Sequence, residues 1–431
     1  MLKKPTGRIT LAVLVAVVAV GVLLLRGMPQ VSADTDPTYQ KLKLLAEVLE
    51  TVQSKYVDEP DPEKLIYGAI KGMVASLDPH SSFLTPSEFQ ELQIETSGKF
   101  SGIGIEITVQ EGILTVVSPI EDTPAFKVGL QAGDKIIKVD GKLTKQMSLM
   151  EAVKSIRGPK GTKVVLTILR SGQKELMEFV IVRDVIPIVS VKTKNLSPGY
   201  GYIRVTTFQA RTSADVRDAL AEMTNREDPL KGLVMDLRNN PGGLLNEAVD
   251  LADLFLDEGL IVYTEGRVAN QNMKFYARSL KTPSTYPMVI LVNQGSASAS
   301  EIVAGALKDH GRAVILGTRT FGKGSVQTII PFGDNSGMRL TTARYFTPSG
   351  VSIQAKGIEP DVLVEAIPPT EDKTEPSGMR EADIIGHMEN DAEPDAQEAK
   401  DQEAAEMLRR DNQLREALGL LKGWEIFSRT R

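Results

Sequence analysis

Apolar residues recur at three- and four-residue spacing through much of 37–96, most regularly in KLKLLAEVLETVQSKYV. That period predicts amphipathic helices that pack on a neighbour, with nothing catalytic in them. The turn-rich stretch LDPHSSFLTP at 77–86 interrupts it before another short helix. His80 there reads as a structural hydrogen-bonding residue rather than a ligand. From 100 to 184 the pattern shortens to the β-branched runs GIGIEITV, GILTVVSPI and TKVVLTILR, with a helix, SLMEAVKSIRG, ahead of the last. From 185 to 369 it alternates. GYIRVTTF, GLVMDLR, PMVILVN and AVILGT read as strands; SADVRDALAEMT, LNEAVDLADLFL and SEIVAGALKDH read as helices. Such alternation predicts a mixed α/β core, with functional loops where strands end and helices begin.

The two ends differ from this. Lys3, Lys4 and Arg8 precede the apolar run at 9–25, and Val31 and Ala33 suit cleavage just before Asp34. Residues 1–33 are therefore expected to be a signal peptide or a retained inner-membrane anchor. Either places the rest of the chain outside the cytoplasm, in a bacterial periplasm. After 369, PPTEDKTEPSG and NDAEPDAQEAKDQEAAE are acidic and Pro-containing, a solvated linker with READIIGHMEN between them. The closing AEMLRRDNQLREALGLLKGWEIF is an amphipathic helix whose apolar face is expected on a partner or a second subunit. The expected divisions are thus 1–33, a helical region 34–99, a β-rich module 100–184, an α/β core 185–369, and a linker with helix 370–431.

Composition narrows the chemistry. The 431 residues suffice for two or three domains, and a formal charge of −6 leaves no general basic footprint for nucleic acid. There is no Cys, so disulfides and thiol nucleophiles are excluded. Three scattered histidines, His80, His310 and His387, argue against a catalytic zinc site. No metal or cofactor is expected.

Two stretches hold candidate chemistry. NQGSASASE at 293–301 sets Ser296, Ser298 and Ser300 among small residues, between the strand PMVILVN and a helix. A nucleophile at that turn would benefit from the positive end of the helix. Ser298-Ala-Ser-Glu301 also fits a capping box, which would make Ser298 a plain cap. Patterning alone does not choose among the three serines. The second stretch, GTRTFGKGSVQ at 317–327, matches a phosphate-binding G-x-x-x-x-G-K up to Lys323. The match then fails, because Gly324 replaces the Ser or Thr that would hold magnesium and VQTIIPF reads as a strand. Lys323 is instead a solvent lysine on a Gly-rich hairpin or, if buried and neutral, a general base for a serine.

Larger resemblances join these pieces. GIGI (102–105), GLQAGDKIIKVDG (129–141) and the helix 148–157 resemble a PDZ domain, which adds a peptide's C-terminal strand to a sheet edge. Gly102, Ile103, Gly104 and Ile105 would then hold the peptide carboxylate. GSASASE followed by TFGKGSVQ, with LDPHSSFLTP, DLRNNPGG, LTTARYFTPSGVSIQAKGIEPD and READIIGHMEN, resembles the carboxyl-terminal processing (tail-specific) serine proteases. The likeness runs from about residue 41 to 390. It implies an α/β protease core of that type carrying an inserted PDZ domain, with helical N- and C-terminal regions. It puts the nucleophile on Ser298, the general-base lysine on Lys323 and a supporting glutamine on Gln327. Backbone amides of Ala299 and of Gly242 or Gly243 would form the oxyanion hole. If 323–327 is extended, Lys323 and Gln327 share a face. The implied partners are protein substrates with apolar C-termini, other copies of the chain as a dimer or larger assembly, an adaptor, and a membrane held through the N-terminal segment. Arg157 and Lys160 are either ordinary surface charges or residues that couple peptide binding to the core. The competing function is a PDZ scaffold or holdase on an inactive protease-like core.

Overall fold

A computed structural model describes residues 37–110, 112–173, 175–224, 230–278, 285–367 and 396–428. The apolar run at 9–25 and READIIGHMEN lie outside them. Among the described residues no helix is long and apolar enough to cross a membrane.

The chain divides at Met73/Val74. In the first unit the amphipathic pattern forms the helix Pro37–Lys55 and most of Pro62–Ala75. Leu42, Leu44, Leu45 and Val48 of the first helix are exposed.

The second unit opens with β1 (Ser82–Leu84), a strand inside the stretch read as a turn. The helix Pro86–Ser97 follows. Pro86 stands at its first position, and Thr85 and Glu88 form a reciprocal cap. Gly98 ends that helix at φ 68°, which glycine tolerates.

The β-rich module is as expected. Its sheet runs β3 (Ile105–Gln110), β4 (Ile113–Pro119), β5 (Lys135–Val139), β7 (Lys163–Leu169) and β8 (Met177–Val182), with β6 (Lys142–Leu143) on β5. β3 is an edge. The helix Leu149–Ile156 buries Ala152 and Ile156 in the module's core. A ribbon of β2 (Lys99–Gly102) and β9 (Asp184–Pro187) carries the chain into and out of the module. Arg157 at the helix end bonds both oxygens of Glu91 at 2.8 and 2.7 Å and lies over the Phe100 ring. Lys160 pairs with Asp184 at 2.6 Å. Both candidate coupling residues therefore touch the segments that lead into and out of the module.

The core sheet runs β10 (Val191–Ser197), β11 (Tyr200–Val205), β12 (Gly232–Asp236), β15 (Met288–Val292), β16 (Val314–Gly317) and β19 (Val362–Leu363). All pairs but the first are parallel. β12 and β15 are buried at every position, so their sequences are continuous apolar runs rather than alternating ones. The helices Leu245–Asp253 and Ala299–Asp309 share one hydrophobic cluster with this sheet. A second sheet, β1–β18–β13–β14 with β17 on β18, is built from β13 (Leu260–Gly266), β14 (Lys274–Tyr276), β17 (Ser325–Pro331) and β18 (Gly337–Phe346).

The final helix differs from expectation. It is two helices, Ala396–Arg410 and Asn412–Ser428, broken at Asp411. Its apolar face lies on this chain's own sheet: Leu414, Ala417, Leu418 and Leu421 cluster with Val234, Val289, Leu291 and Leu316. Each fully buried leucine contributes about 1.5–3 kcal/mol. The break explains itself through Arg238, at the end of β12. This mostly buried guanidinium bonds Asp236, both oxygens of Asp411 and Gln413. Against burial, which works upward, these contacts with Arg238 hold the Asp411 carboxyl below its ordinary value. The stabilisation is present above the unfolded carboxyl's pKa and is lost as pH falls through the lowered folded value. Asp411→Ala should cost about 2–3 kcal/mol at neutral pH, read as a lower urea midpoint, with the gap to parent closing in acid.

Candidate active site

The strand β15 ends at Val292, and the chain turns through 293–298 into the helix Ala299–Asp309. Two of the three serines are committed in that turn. Ser296 Oγ donates to the Leu237 carbonyl at 2.7 Å, and Ser300 Oγ donates to the Asn240 carbonyl at 3.0 Å; both residues are fully buried. Ser298 alone keeps its hydroxyl from a backbone carbonyl. It retains 9% exposure and sits at φ 55°, ψ −113°, a conformation that costs a non-glycine residue about 1–3 kcal/mol. Only the glutamate half of the expected capping box forms: the Ser298 N–H donates to Glu301 Oε2 at 2.8 Å, and Ser298 Oγ makes no cap bond.

Glu301 is the residue that ties the two sequence stretches together. It is fully buried. Its Oε1 accepts from Thr320 Oγ1 at 2.6 Å and Gly322 N at 2.7 Å, and its Oε2 accepts from Ser298 N and, at 2.9 Å, Lys323 N. Phe321 N donates to the Ser296 carbonyl at 3.0 Å, a second tie. The amides of Gly322 and Lys323 that a phosphate would need are thus held by a carboxylate, and β17 follows where a helix would begin. The lysine loop is pinned from its far side by Gln354 Oε1, which accepts from Gly324 N at 3.1 Å. A Cβ on Gly324 would meet Gln354 N at 2.3 Å, so this close approach requires glycine.

Lys323 is half-buried. Burial, then Arg339 of β18, pushes its amine below the usual lysine value, while Glu301 works the other way. Arg319, the nearest charge in sequence, is instead paired with Glu359. Among the described residues the Lys323 amine makes no hydrogen bond. The Tyr345 phenol lies near the Ser298 hydroxyl; burial pushes it up to about 12, and Ser298 works the other way. Gln327 donates from Nε2 to Thr341 Oγ1 at 2.7 Å; its Oε1 is buried without a partner among the described residues. The same-face argument for Lys323 and Gln327 does not apply, because Lys323 precedes β17 and the register shifts between Val326 and Gln327.

The NNPGG loop packs against the serine. Asn239 N donates to Asn293 Oδ1 and Asn293 Nδ2 donates to Asn239 Oδ1, both at 2.9 Å, and Ala297 N donates to the Asn240 carbonyl at 3.0 Å. A Cβ on Gly242 would fall 2.8 Å from Ser298 Cβ and 3.0 Å from Ala299 N. Gly242 gives its own N–H to Asn240 Oδ1 at 2.9 Å. Of the two candidate glycines, Gly243 therefore has the uncommitted donor, and Ala299 N is likewise without a partner among the described residues. In the β-rich module, the carbonyl of Ile103 accepts from Ala125 N and that of Gly104 from Ile120 N, both at 2.9 Å. The N–H groups of Ile103 and Gly104 have no partner among the described residues, and they immediately precede the edge strand that begins with Ile105. Gly102 closes β2 beside them.

Family models match in the order these elements occur: an activating protease CtpB N-terminal domain over 25–87, a PDZ domain over 101–181 and peptidase family S41 over 199–364. A carboxy-terminal-processing protease of Bartonella bacilliformis is 45% identical over 388 residues, covering 90% of this chain and 89% of its own. The chain belongs to the peptidase family S41 of carboxy-terminal-processing proteases. Relatives from Synechocystis and Bacillus subtilis, a carboxyl-terminal-processing protease and a carboxy-terminal processing protease CtpA, are 40% and 38% identical. They cover 73% and 78% of this chain, and 74% and 71% of theirs. A solved photosystem II D1 C-terminal processing protease is 34% identical and covers 75% of this chain and 92% of its own, at a TM-score of 0.43.

Membership in the S41 family accounts for the mixed α/β core and the PDZ module. Glu301, Tyr345 and the paired asparagines were not singled out by the sequence. The signal available for Glu301 was its place three residues after Ser298, which also fits a simple cap.

Proposed function

We propose that this protein is an extracytoplasmic serine endopeptidase that takes substrate C-terminal tails on its PDZ module and cleaves peptide bonds with Ser298 and Lys323. The observation that carries this is Ser298, on a strained backbone with its hydroxyl kept from backbone carbonyls, held by one buried carboxylate to the loop of a lysine whose pKa is pushed down. The Ser298 hydroxyl turns from Tyr345 to neutral Lys323, which takes its proton as Oγ attacks the carbonyl. Ala299 N and Gly243 N receive the oxyanion. The lysine ammonium returns the proton to the leaving amine, and water attacks the acyl-enzyme with the lysine again as base. Gln327 supports the ammonium. The free amides of Ile103 and Gly104 receive the tail carboxylate, and apolar side chains lie along β3.

The periplasmic setting, by cleaved signal or inner-membrane anchor, rests on the cationic and apolar run at 3–25. Self-association and docking of an adaptor are part of the same reading. The exposed Trp424, Ile426 and Phe427 at the end of the last helix support self-association.

The test uses an unfolded protein ending in apolar residues. Amidating its terminal carboxyl, or ending it in Asp-Asp, should lower kcat/KM about tenfold or more, with cleavage sites unchanged. Equal cleavage of all three tails would remove the PDZ part of the reading. Binding without cleavage, identical for Ser298→Ala, would favour a scaffold.

A further inference from the structure

LDPHSSFLTP has no part in the reaction above, yet it ends at the lysine's glutamine. Asp78 Oδ1 accepts from His80 N and Ser81 N, and Asp78 Oδ2 accepts from Ser81 Oγ, all at 2.8 Å. Ser81 Oγ also accepts from Thr341 N at 3.0 Å and lies 3.3 Å from Thr341 Oγ1. Thr341 is the cross-strand partner of Gln327, and it receives the Gln327 Nε2 donor at 2.7 Å.

Counting protons gives this chain a direction. An ionised carboxylate only accepts. Burial works upward on Asp78, but the bonds from Ser81, His80 and Thr341 hold its carboxyl below the ordinary value, so it is ionised at neutral pH. It anchors the Ser81 hydroxyl, and Thr341 Oγ1 stands as acceptor toward both Ser81 Oγ and Gln327 Nε2. Thr341 Oγ1 is then left with lone pairs toward Gln327. The carboxamide must turn its nitrogen to Thr341 and its oxygen away, and that oxygen is the buried acceptor without a partner. In the proposed reaction the ammonium to be held is that of Lys323. It feels Arg339, which lies two residues from Thr341 on β18 and so on the same face.

We propose that Asp78, Ser81 and Thr341 are positioning residues that fix the Gln327 carboxamide with Oε1 presented as the acceptor for the Lys323 ammonium. The relay rests on the Ser298–Lys323 reading. It acts when the lysine has taken the serine proton, by stabilising the charged amine and aiming it. The other groups acting on the pair are Arg339 and Glu301 at Lys323 and Tyr345 at Ser298.

Thr341→Val keeps the shape and removes the hydroxyl, freeing the amide to rotate. It should lower kcat about tenfold with KM unchanged. With the ammonium less favoured, the lysine pKa falls, so the acid limb of kcat/KM moves to lower pH. Thr341→Ser should restore both. Gln327→Ala should show the same shift, and Thr341→Val added to it should cost nothing more. Asp78→Asn, which can donate where Asp cannot, should give a partial loss in the same direction. A folded Thr341→Val enzyme with the parent's kcat and pH profile overturns the relay. So does a double variant in which the two losses multiply. Lys323→Ala and Ser298→Ala run beside them: cleavage that survives Lys323→Ala would sink the dyad and the relay with it. Loss in both controls with an unaltered Thr341→Val sinks the relay alone.

Discussion

Ser298→Ala and Lys323→Ala should each reduce peptide-bond cleavage by about four orders of magnitude or more, and combining them should add little. Residues that act as one unit lose their function together, since the serine is a poor nucleophile without a base and the lysine has no task without the serine. Gln327→Ala should be milder, about tenfold to a hundredfold, because it supports a protonation state and makes no bond to substrate. The controls are Ser296→Ala and Ser300→Ala. Each removes a hydroxyl that bonds a backbone carbonyl, leaving that carbonyl short of a donor. Each should cost about 1–2 kcal/mol of stability while cleavage by folded protein changes only a few-fold. Initial rates on a quenched fluorescent peptide, normalised to folded protein by circular dichroism, separate the two groups. If Ser296→Ala or Ser300→Ala were as inactive as Ser298→Ala, the nucleophile would be misassigned. The acid limb of the parent's kcat/KM should fall below the ordinary lysine pKa, because burial and Arg339 disfavour the ammonium.

The legible parts of this chain are those where one face is buried and the other is wet, or where both are buried. PMVILVN and GLVMDLR are continuous apolar runs because β15 and β12 lie inside the core sheet. SLMEAVKSIRG announces its helix by the Ser148–Glu151 cap and by the apolar positions that face the module's core. The second sheet was harder to see. β18 has mostly half-buried positions, MRLTTARYF, which leave no clean alternation, and its partners β1 and β13 lie far from it in sequence. The closing helices misled for a different reason. An apolar face shows that something covers it, and does not say whether the cover is a partner or the chain's own sheet. Arg238 decides that point by binding Asp411, a contact between residues 173 apart that no local pattern encodes. At the site, residue types and spacing pointed to Ser298 and Lys323 only with the family resemblance added. Choosing among three serines physically needed the carbonyls of Leu237 and Asn240, which arrive from another strand's loop.

Glu301→Ala should be the most destructive single change outside the serine and the lysine. The carboxylate receives four donors, from Thr320, Gly322, Ser298 and Lys323, in a site with no access to water. Alanine would leave all four unpaired, at about 1–3 kcal/mol for each that cannot relax. A total loss of about 3–5 kcal/mol is expected after local rearrangement, seen as a lower urea midpoint. Glu301→Gln is the sharper experiment. A carboxamide has one accepting oxygen, so its NH2 must face two of the donors, and the shape is kept while the bonding fails. Cleavage per folded molecule should drop about a hundredfold, because the strained Ser298 backbone and the Lys323 loop are no longer held to the same group. The charge matters separately. Glu301 raises the Lys323 pKa, so its removal should move the acid limb of kcat/KM to lower pH. A Glu301→Gln enzyme with parental stability and parental kcat would mean that the helix start and the lysine loop are placed by their other contacts, and that the buried carboxylate is incidental to the site.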